Sequence, residues 1–213
     1  MRTTFLILGC LTLFMIWGIL PLLAPSAFFV HMTMHMGVVA VAAPLLAIGI
    51  AGGRLDPVVM FPRLFVPIPI SLLELVVVWA WHAPGLHHAA RHTVFGLIAE
   101  QSMFFLCGLL LWLSAFGGDL PLDADRAAAG VIGLLLTMMH MVLLGALLAL
   151  TPRTLYAHNA SHDASHTGLT PLEDQHLGGA IMLVGGGVSY LVGGLWLSVR
   201  ILRTNAIQPK GSP

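Results

Sequence analysis

Histidine and methionine alternate in HMTMHM, residues 31–36, at the start of a long apolar run. His31 and His35 are four residues apart, so both imidazoles lie on one face of a helix and can hold one metal ion together. The neighbouring candidate thioether ligands are Met32, Met34 and Met36. Imidazole and thioether together favour Cu(I) over harder ions. The stretch therefore predicts a soft-metal site, the alternative being that methionine only packs an apolar helix.

Further histidines stand at the ends of other apolar runs or inside them. His82 closes one run and His176 opens another, so we expect them as third and fourth ligands. His140 lies well inside a run, and Met139 precedes it. These two residues are expected to form a second binding position, or station, for the same ion deeper in the membrane.

The composition places all these residues in a membrane. The chain of 213 residues is 58% hydrophobic and 8% charged, whereas a soluble domain carries about a quarter charged residues. Because a helix needs about 20 apolar residues to cross the hydrocarbon, we predict one all-α membrane domain, residues 1–213, with six transmembrane helices. The spans run over about 4–23, 28–50, 64–81, 93–116, 127–150 and 177–199.

Other features exclude several classes of protein. The first span is interpreted as an uncleaved signal anchor. A net charge of zero gives no attraction to nucleic acid. Cys10 and Cys107 lie inside apolar runs and indicate no disulfide framework. We find no nucleophile with a base, no phosphate loop and no nucleotide fingerprint, so the protein is not expected to be an enzyme.

The basic residues predict that both termini are cytoplasmic. Seven of the nine then face inward, and only Arg91 and Arg153 face outward. Ten of the eleven histidines gather on the outer side: His31, His35, His82, His87, His88, His92, His158, His162, His166 and His176. His87, His88 and His92 are assigned to the outer loop after span 3 and the start of span 4. Since histidine was not used to orient the chain, this clustering independently favours a metal site on the periplasmic side.

Two acids lie at membrane depth, where an ionisable side chain usually has a partner or a function. Glu74 precedes His82 by eight residues, and Glu100 follows His92 by eight. Each acid is expected either to orient a ligand histidine or to bond a neighbouring helix.

A polar loop over about 151–176 carries His158, His162 and His166 at regular spacing. The surrounding Asn, Ser, Asp and Gly are typical of a solvated loop. This loop is expected either to capture metal loosely or to be a solvated connection without a site.

Several segments, in a fixed order, resemble the CtaG-type cytochrome c oxidase assembly proteins. HMTMHMGVVAVAAPLLAIG resembles the family's paired-histidine run, and WHAPGLHHAA matches its W-H-x-P segment. DQHLGGAIMLVGGGVSYL resembles the closing pattern, in which an Asp-Gln pair opens a Gly-rich span. The resemblance runs from about residue 28 to 198. It carries over to His31, His35, Trp81, His82, Pro84, Asp174 and Gln175, with Asp174 and Gln175 expected to support the site rather than bind the ion.

Two features depart from the family pattern. Gln101 stands where the resemblance leads us to expect a histidine. The site then uses fewer histidines, or Glu100 or Met103 takes part, or this member has lost metal delivery. The chain also has six predicted spans, where the family leads us to expect about seven.

The resemblance implies a copper-binding assembly factor of the bacterial inner membrane that delivers Cu(I) to a haem–copper oxidase. Its expected partners are the oxidase core subunits and the lipid bilayer, with copper as its only bound cofactor. One alternative is a structural accessory subunit that stays with the oxidase and binds no metal. Another is a b-type haem protein, with His35 or His82 facing His140 as axial ligands. A homodimer through span 6 is also expected, because small residues permit close helix packing: Gly185, Gly186, Gly187, Gly193 and Gly194.

Overall fold

A computed structural model describes residues 1–23, 27–54, 56–118, 124–156 and 168–207. For residues 204–207 it describes the backbone but not the side chains. The described residues form helices and no strands, which confirms the all-α prediction. The helices are α1 Arg2–Leu23, α2 Phe28–Ile50, α3 Pro57–Met60, α4 Pro67–His82, α5 Pro84–His92, α6 Val94–Phe116, α7 Ala124–Leu150 and α8 Pro171–Ile207. His158, His162 and His166 lie outside the described residues.

Five helices among the described residues are long and apolar enough to cross a membrane, namely α1, α2, α6, α7 and α8. The pair α4 and α5 passes the same test together, but the two helices are bent by 73°. With its 16 residues, α4 alone is about 24 Å long, which is shorter than the hydrocarbon layer of about 30 Å. The chain is therefore a multi-pass membrane protein with five spans, or six if the bent pair counts as one.

The bend has a local cause in the sequence. Ala83 precedes Pro84 and has φ −65° and ψ 135°, because a residue before proline avoids the helical conformation. Pro84 then occupies the first turn of α5, where its missing N–H costs nothing. The segment predicted as an outer loop and the start of span 4 is thus helical, since His87, His88 and His92 all belong to α5.

A π-helical turn over Gly37–Ala42 interrupts α2 just after the histidine pair. Such turns shift the backbone hydrogen bonds and free carbonyl groups for other donors. Trp112 Nε1 on α6 donates to the Val39 carbonyl at 2.8 Å, and Ser189 Oγ on α8 donates to the Ala40 carbonyl at 2.6 Å. These two bonds fix the rotation of α2, and therefore the direction in which its histidines point.

Glycines bring α8 into close contact with α7 and α6. A Cβ on Gly145 of α7 would lie 2.6 Å from the backbone nitrogen of Leu183, and one on Gly179 would lie 2.5 Å from that of Ala149. A Cβ on Gly193 would lie 2.5 Å from the Trp112 ring of α6. The Gly-rich stretch of α8 thus has packing partners inside the chain, and the homodimer stays a prediction.

Candidate metal centre

Three side chains from three helices converge in what we call the His31–His87–Glu100 cluster. One ligand atom from each lies within 4.8 Å of the other two. His31 Nε2 and Glu100 Oε1 are 3.2 Å apart. All three residues are buried, and Glu100 is fully so. The bend at Ala83 makes this cluster, because it turns α5 so that His87 faces α2 and α6.

Arg91, one turn after His87 on α5, also reaches the cluster. Its Nη1 lies 3.5 Å from His31 Nδ1, so the imidazole sits between a guanidinium and a carboxylate. A buried charge needs an opposite charge nearby, and Arg91, His31 and Glu100 form such a row. His31 therefore has polar contacts on both ring nitrogens.

A second group, the His35–His82 pair, lies one turn further along α2. The two rings are 5.4 Å apart and nearly perpendicular. His82 Nδ1 lies 2.7 Å from the Val78 carbonyl, which can only accept, so Nδ1 carries the proton and Nε2 the lone pair. This arrangement is typical of metal-binding histidines, whose second nitrogen is held by a backbone carbonyl.

Several nitrogens of this pair and of His140 are buried without a hydrogen-bond partner among the described residues. They are His82 Nε2 and both ring nitrogens of His35 and of His140. His140, on α7, is close enough to His35 to act as one of its electrostatic neighbours. A buried polar atom without a partner costs about 1–3 kcal/mol, so the fold tolerates these lone pairs at a loss of stability. A metal ion bound by imidazole would supply the missing partner, so the residues fit a metal.

The Asp-Gln pair supports the cluster from α8. The Asp174 carboxylate accepts hydrogen bonds from the backbone nitrogens of Phe28 and Phe29, both at 2.8 Å. These are the first N–H groups of α2, which have no partner within the helix, and a negative charge is favourable there. Asp174 thus caps the helix that carries His31 and His35.

Gln175 and His176 hold the segment that follows α7. The Gln175 side chain accepts from Leu155 N at 2.6 Å and donates to the Arg153 carbonyl at 3.2 Å. His176 Nε2 lies 2.8 Å from the Thr151 carbonyl. The structure therefore engages His176 with this segment and does not bring it into the His31–His87–Glu100 cluster.

Tyr156, which belongs to the same segment, covers the cluster. The Tyr156 hydroxyl donates to the His82 carbonyl at 2.7 Å, and its ring stacks on Phe28 at 4.8 Å and lies 4.2 Å from His87. Burial raises the pKa of Tyr156 to about 12, so the hydroxyl stays protonated and remains a donor. The aromatic cover excludes water from the histidines beneath it.

Three of the four predicted thioether ligands, Met32, Met36 and Met139, face elsewhere. All three methionines of the opening stretch are buried: Met32, Met34 and Met36. Met32 lies against Gly178 and Met36 against Gly185, so both pack toward α8, whereas His31 and His35 face α4, α5 and α6. Met139 is 62% exposed, and its side chain therefore points away from the histidines.

Gln101 does not replace the expected histidine as a ligand. Its Oε1 accepts from Trp17 Nε1 of α1 at 3.1 Å, and its Nε2 lies 3.5 Å from Glu100 Oε2. Met103 accepts from Trp81 Nε1 at 3.3 Å. Of the alternatives raised by Gln101, the geometry favours participation of Glu100, which Gln101 helps to hold in place.

The two membrane acids have different surroundings. Glu100 contacts His31, whereas Glu74 accepts from the Tyr190 hydroxyl at 3.1 Å and from Thr137 Oγ1 at 3.3 Å. Ser71 extends this second network through a 2.8 Å bond to Thr137. Glu74 therefore joins α4 to α7 and α8.

Sequence reasoning did not select His87 as a ligand. Its signal was present in PGLHHAARH, where Pro84 predicts a helix start. His87 and Ala90, three residues apart, are the buried residues of that helix, which is the spacing of one helical face. Knowing that residues 84–92 form a helix would have separated buried His87 from exposed His88.

Comparisons with known proteins agree with the resemblance found in the sequence. Residues 1–204 match the model of the family described as cytochrome c oxidase caa3 assembly factor, Caa3_CtaG. Searches of the curated proteins and of the solved structures found no match. Because the family match spans nearly the whole chain, the protein belongs to the cytochrome c oxidase caa3 assembly factor family.

Proposed function

We propose that the protein binds Cu(I) at its buried histidines and delivers it to a haem–copper oxidase during assembly. The observation that carries the proposal is the convergence of His31, His87 and Glu100 within 4.8 Å inside a membrane protein. We place the protein in the bacterial inner membrane, with the cluster toward the periplasm and the oxidase core subunits as recipients. It acts by binding and transfer rather than by catalysis.

The donor set suits this cargo. Imidazole binds copper, zinc, iron and nickel, and a haem–copper oxidase requires copper among these. Two histidines and one carboxylate also occur at zinc sites, so zinc is the competing metal. We favour copper because the family assists an oxidase and because the neighbouring His35–His82 pair offers imidazole without a carboxylate.

The residues around the ion have separate tasks in this proposal. His31 and His87 bind it, and Glu100 supplies the negative charge that a cation needs in a medium of low dielectric. Gln101 holds Glu100 from the side, and Tyr156 keeps water out. A few ligands from separate helices permit release, because a small movement of α5 removes His87 from the ion.

Metal binding by the purified protein tests the proposal. Cu(I) and Zn(II) are titrated separately against competing chelators, with the His31→Ala/His35→Ala protein beside the unchanged one and His88→Ala as the control. We expect tight Cu(I) binding, weaker Zn(II) binding, loss of affinity in the double variant and no change in His88→Ala. No Cu(I) binding, or no preference for it over Zn(II), would overturn the proposal.

The second candidate is an accessory subunit that stays with the oxidase and binds no metal. One observation favours it: only 11% of the apolar stretch of α1 is buried inside the chain. Its outward side chains then face either lipid or another subunit. Co-purification with oxidase subunits at fixed stoichiometry, without copper in elemental analysis, would establish this candidate in place of the first.

A further inference from the structure

We propose that the His35–His82 pair, with His140 beside it, is a second station for the ion. The cargo would then pass along α2 from the His31–His87–Glu100 cluster to this pair. The inference rests on the proposed function and adds a second binding position and the order in which the ion occupies the two positions. His31 and His35 are four residues apart, so their attachment points lie about 6 Å apart along the helix axis.

The two histidines of α2 have different neighbours, which makes them members of two sites. His31 lies beside Glu100 and beside the His87 ring at 5.2 Å. His35 lies beside the His82 ring at 5.4 Å and has His140 as an electrostatic neighbour. One ion bound by both α2 histidines would leave His82 Nε2 and His140 without a partner, whereas two stations use them.

The histidine nitrogens of the two stations differ in the contacts that they make. His31 Nδ1 lies 3.5 Å from Arg91 Nη1, and its Nε2 lies 3.2 Å from Glu100 Oε1 without a hydrogen bond between them, so an arriving cation meets a charged side chain on each side of the ring. Among the described residues, His35 and His82 have no hydrogen-bond partner that competes for their lone pairs. The second station is therefore the one where the ion rests, and the first is the one where it enters.

Glu100 can neutralise the ion at both positions. It contacts His31 directly, and it also acts electrostatically on His82. The ion thus remains near one fixed negative charge as it moves. The step breaks the bonds to His31 and His87 and forms bonds to His35 and His82, the ion keeps its charge, and no electron is transferred.

The stations are filled one at a time. Two unit charges about 6 Å apart at an effective dielectric constant of 20 repel enough to weaken the second ion roughly a hundredfold. We therefore expect one tightly bound Cu(I) per chain, even though two groups of ligands are present. This expectation separates a relay from two independent sites.

Cu(I) titration against a competing chelator tests the relay with matched variants. His87→Ala/Glu100→Gln removes the first station, and His35→Ala/His82→Ala removes the second. We expect each variant to keep one bound Cu(I) and the combined variant to keep none, with faster release to the chelator when the second station is missing. Loss of all binding in either variant alone indicates one shared site and overturns the relay, while the proposed function stands.

A further variant covers the case in which the His35→Ala/His82→Ala protein does not fold. His82→Gln is then placed in the His87→Ala/Glu100→Gln protein, where it should remove the ion that this protein retains. Unchanged binding overturns the second station. No binding by the unaltered chain overturns the relay and the proposed function together.

Discussion

Among the described residues, His35, His82 and His140 carry imidazole nitrogens that are buried without a hydrogen-bond partner. Such an imidazole loses its hydration without a replacement, which lowers stability by about 1–3 kcal/mol. Natural proteins accept losses of this kind where function requires them. In the proposed function, the histidines trade stability of the metal-free chain for affinity toward an ion.

The His140→Leu variant measures this trade. Removing two unpartnered nitrogens should raise the thermal midpoint of the copper-free protein in detergent, by an amount that corresponds to about 1–3 kcal/mol. The same change should reduce the additional stabilisation that Cu(I) gives to the unchanged protein. A lower midpoint without copper would mean that His140 is already satisfied in the apo protein.

Adjacent histidines on α5 provide a second measurement at this scale. His87 is buried in the cluster, whereas His88 is exposed and its ring lies 4.0 Å from that of His92. In the His35→Ala/His82→Ala protein, which lacks the second station, we expect His87→Ala to lower Cu(I) affinity about tenfold or more, because it removes a proposed ligand and even supporting residues contribute 10- to 100-fold. His88→Ala should leave the affinity unchanged, and equal effects of the two changes would exclude His87 as a ligand.

At the scale of the element, the beginning of α2 depends on a residue of another helix. The Asp174 carboxylate accepts hydrogen bonds from the first two backbone N–H groups of α2. Ala27, the residue before the helix, has no side-chain acceptor that could cap them. Because α2 carries His31 within its first turn, the cap also determines where this ligand lies. The Asp-Gln pair therefore acts on the metal centre through the backbone.

Removing this cap should affect both stability and binding. We expect Asp174→Ala to lower the free energy of unfolding by about 1–2 kcal/mol, the usual range for a lost cap, and to weaken Cu(I) binding as the end of α2 frays. Thermal unfolding in detergent and chelator competition measure the two effects. Glu173→Ala is the matched control, since Glu173 is exposed and its carboxylate accepts hydrogen bonds from Thr170; a similar loss there would contradict the cap.

The membrane-spanning helices were largely predictable from the sequence, and the bend into α5 is the exception. Long apolar runs indicate spans by length alone, and five of them appear as helices of that length. The region around α5 was missed because nine residues with three histidines give no hydropathy signal. Only the backbone restriction before Pro84 indicated the break and the new helix.

At the scale of the whole molecule, the bent pair α4 and α5 decides the topology. Six spans place both termini on one side of the membrane, and five place them on opposite sides. We expect both on the cytoplasmic side, as the distribution of basic residues predicts. Fusions of green fluorescent protein and of alkaline phosphatase to each end test this, and a C-terminal fusion active only outside would show that the pair does not cross.

The site was only partly predictable, because its geometry arises from contacts between distant segments. The spacing of His31 and His35 indicated their shared face, and the apolar context of Glu100 indicated that it needs a partner. Neither signal could show that His31 and His35 turn toward different neighbours, since that depends on where α4, α5 and α7 pack. The role of Gln101 as a support for Glu100 depends in the same way on Trp17 of α1.

The cap of α2 by Asp174 also bears on how the protein is made. Phe28 and Asp174 are separated by 146 residues, so α2 enters the membrane long before the ribosome reaches its cap. During synthesis the helix with His31 and His35 therefore waits with its first N–H groups unsatisfied. We expect the candidate metal centre to bind copper only once α8 has been inserted, so that an unfinished chain does not sequester copper.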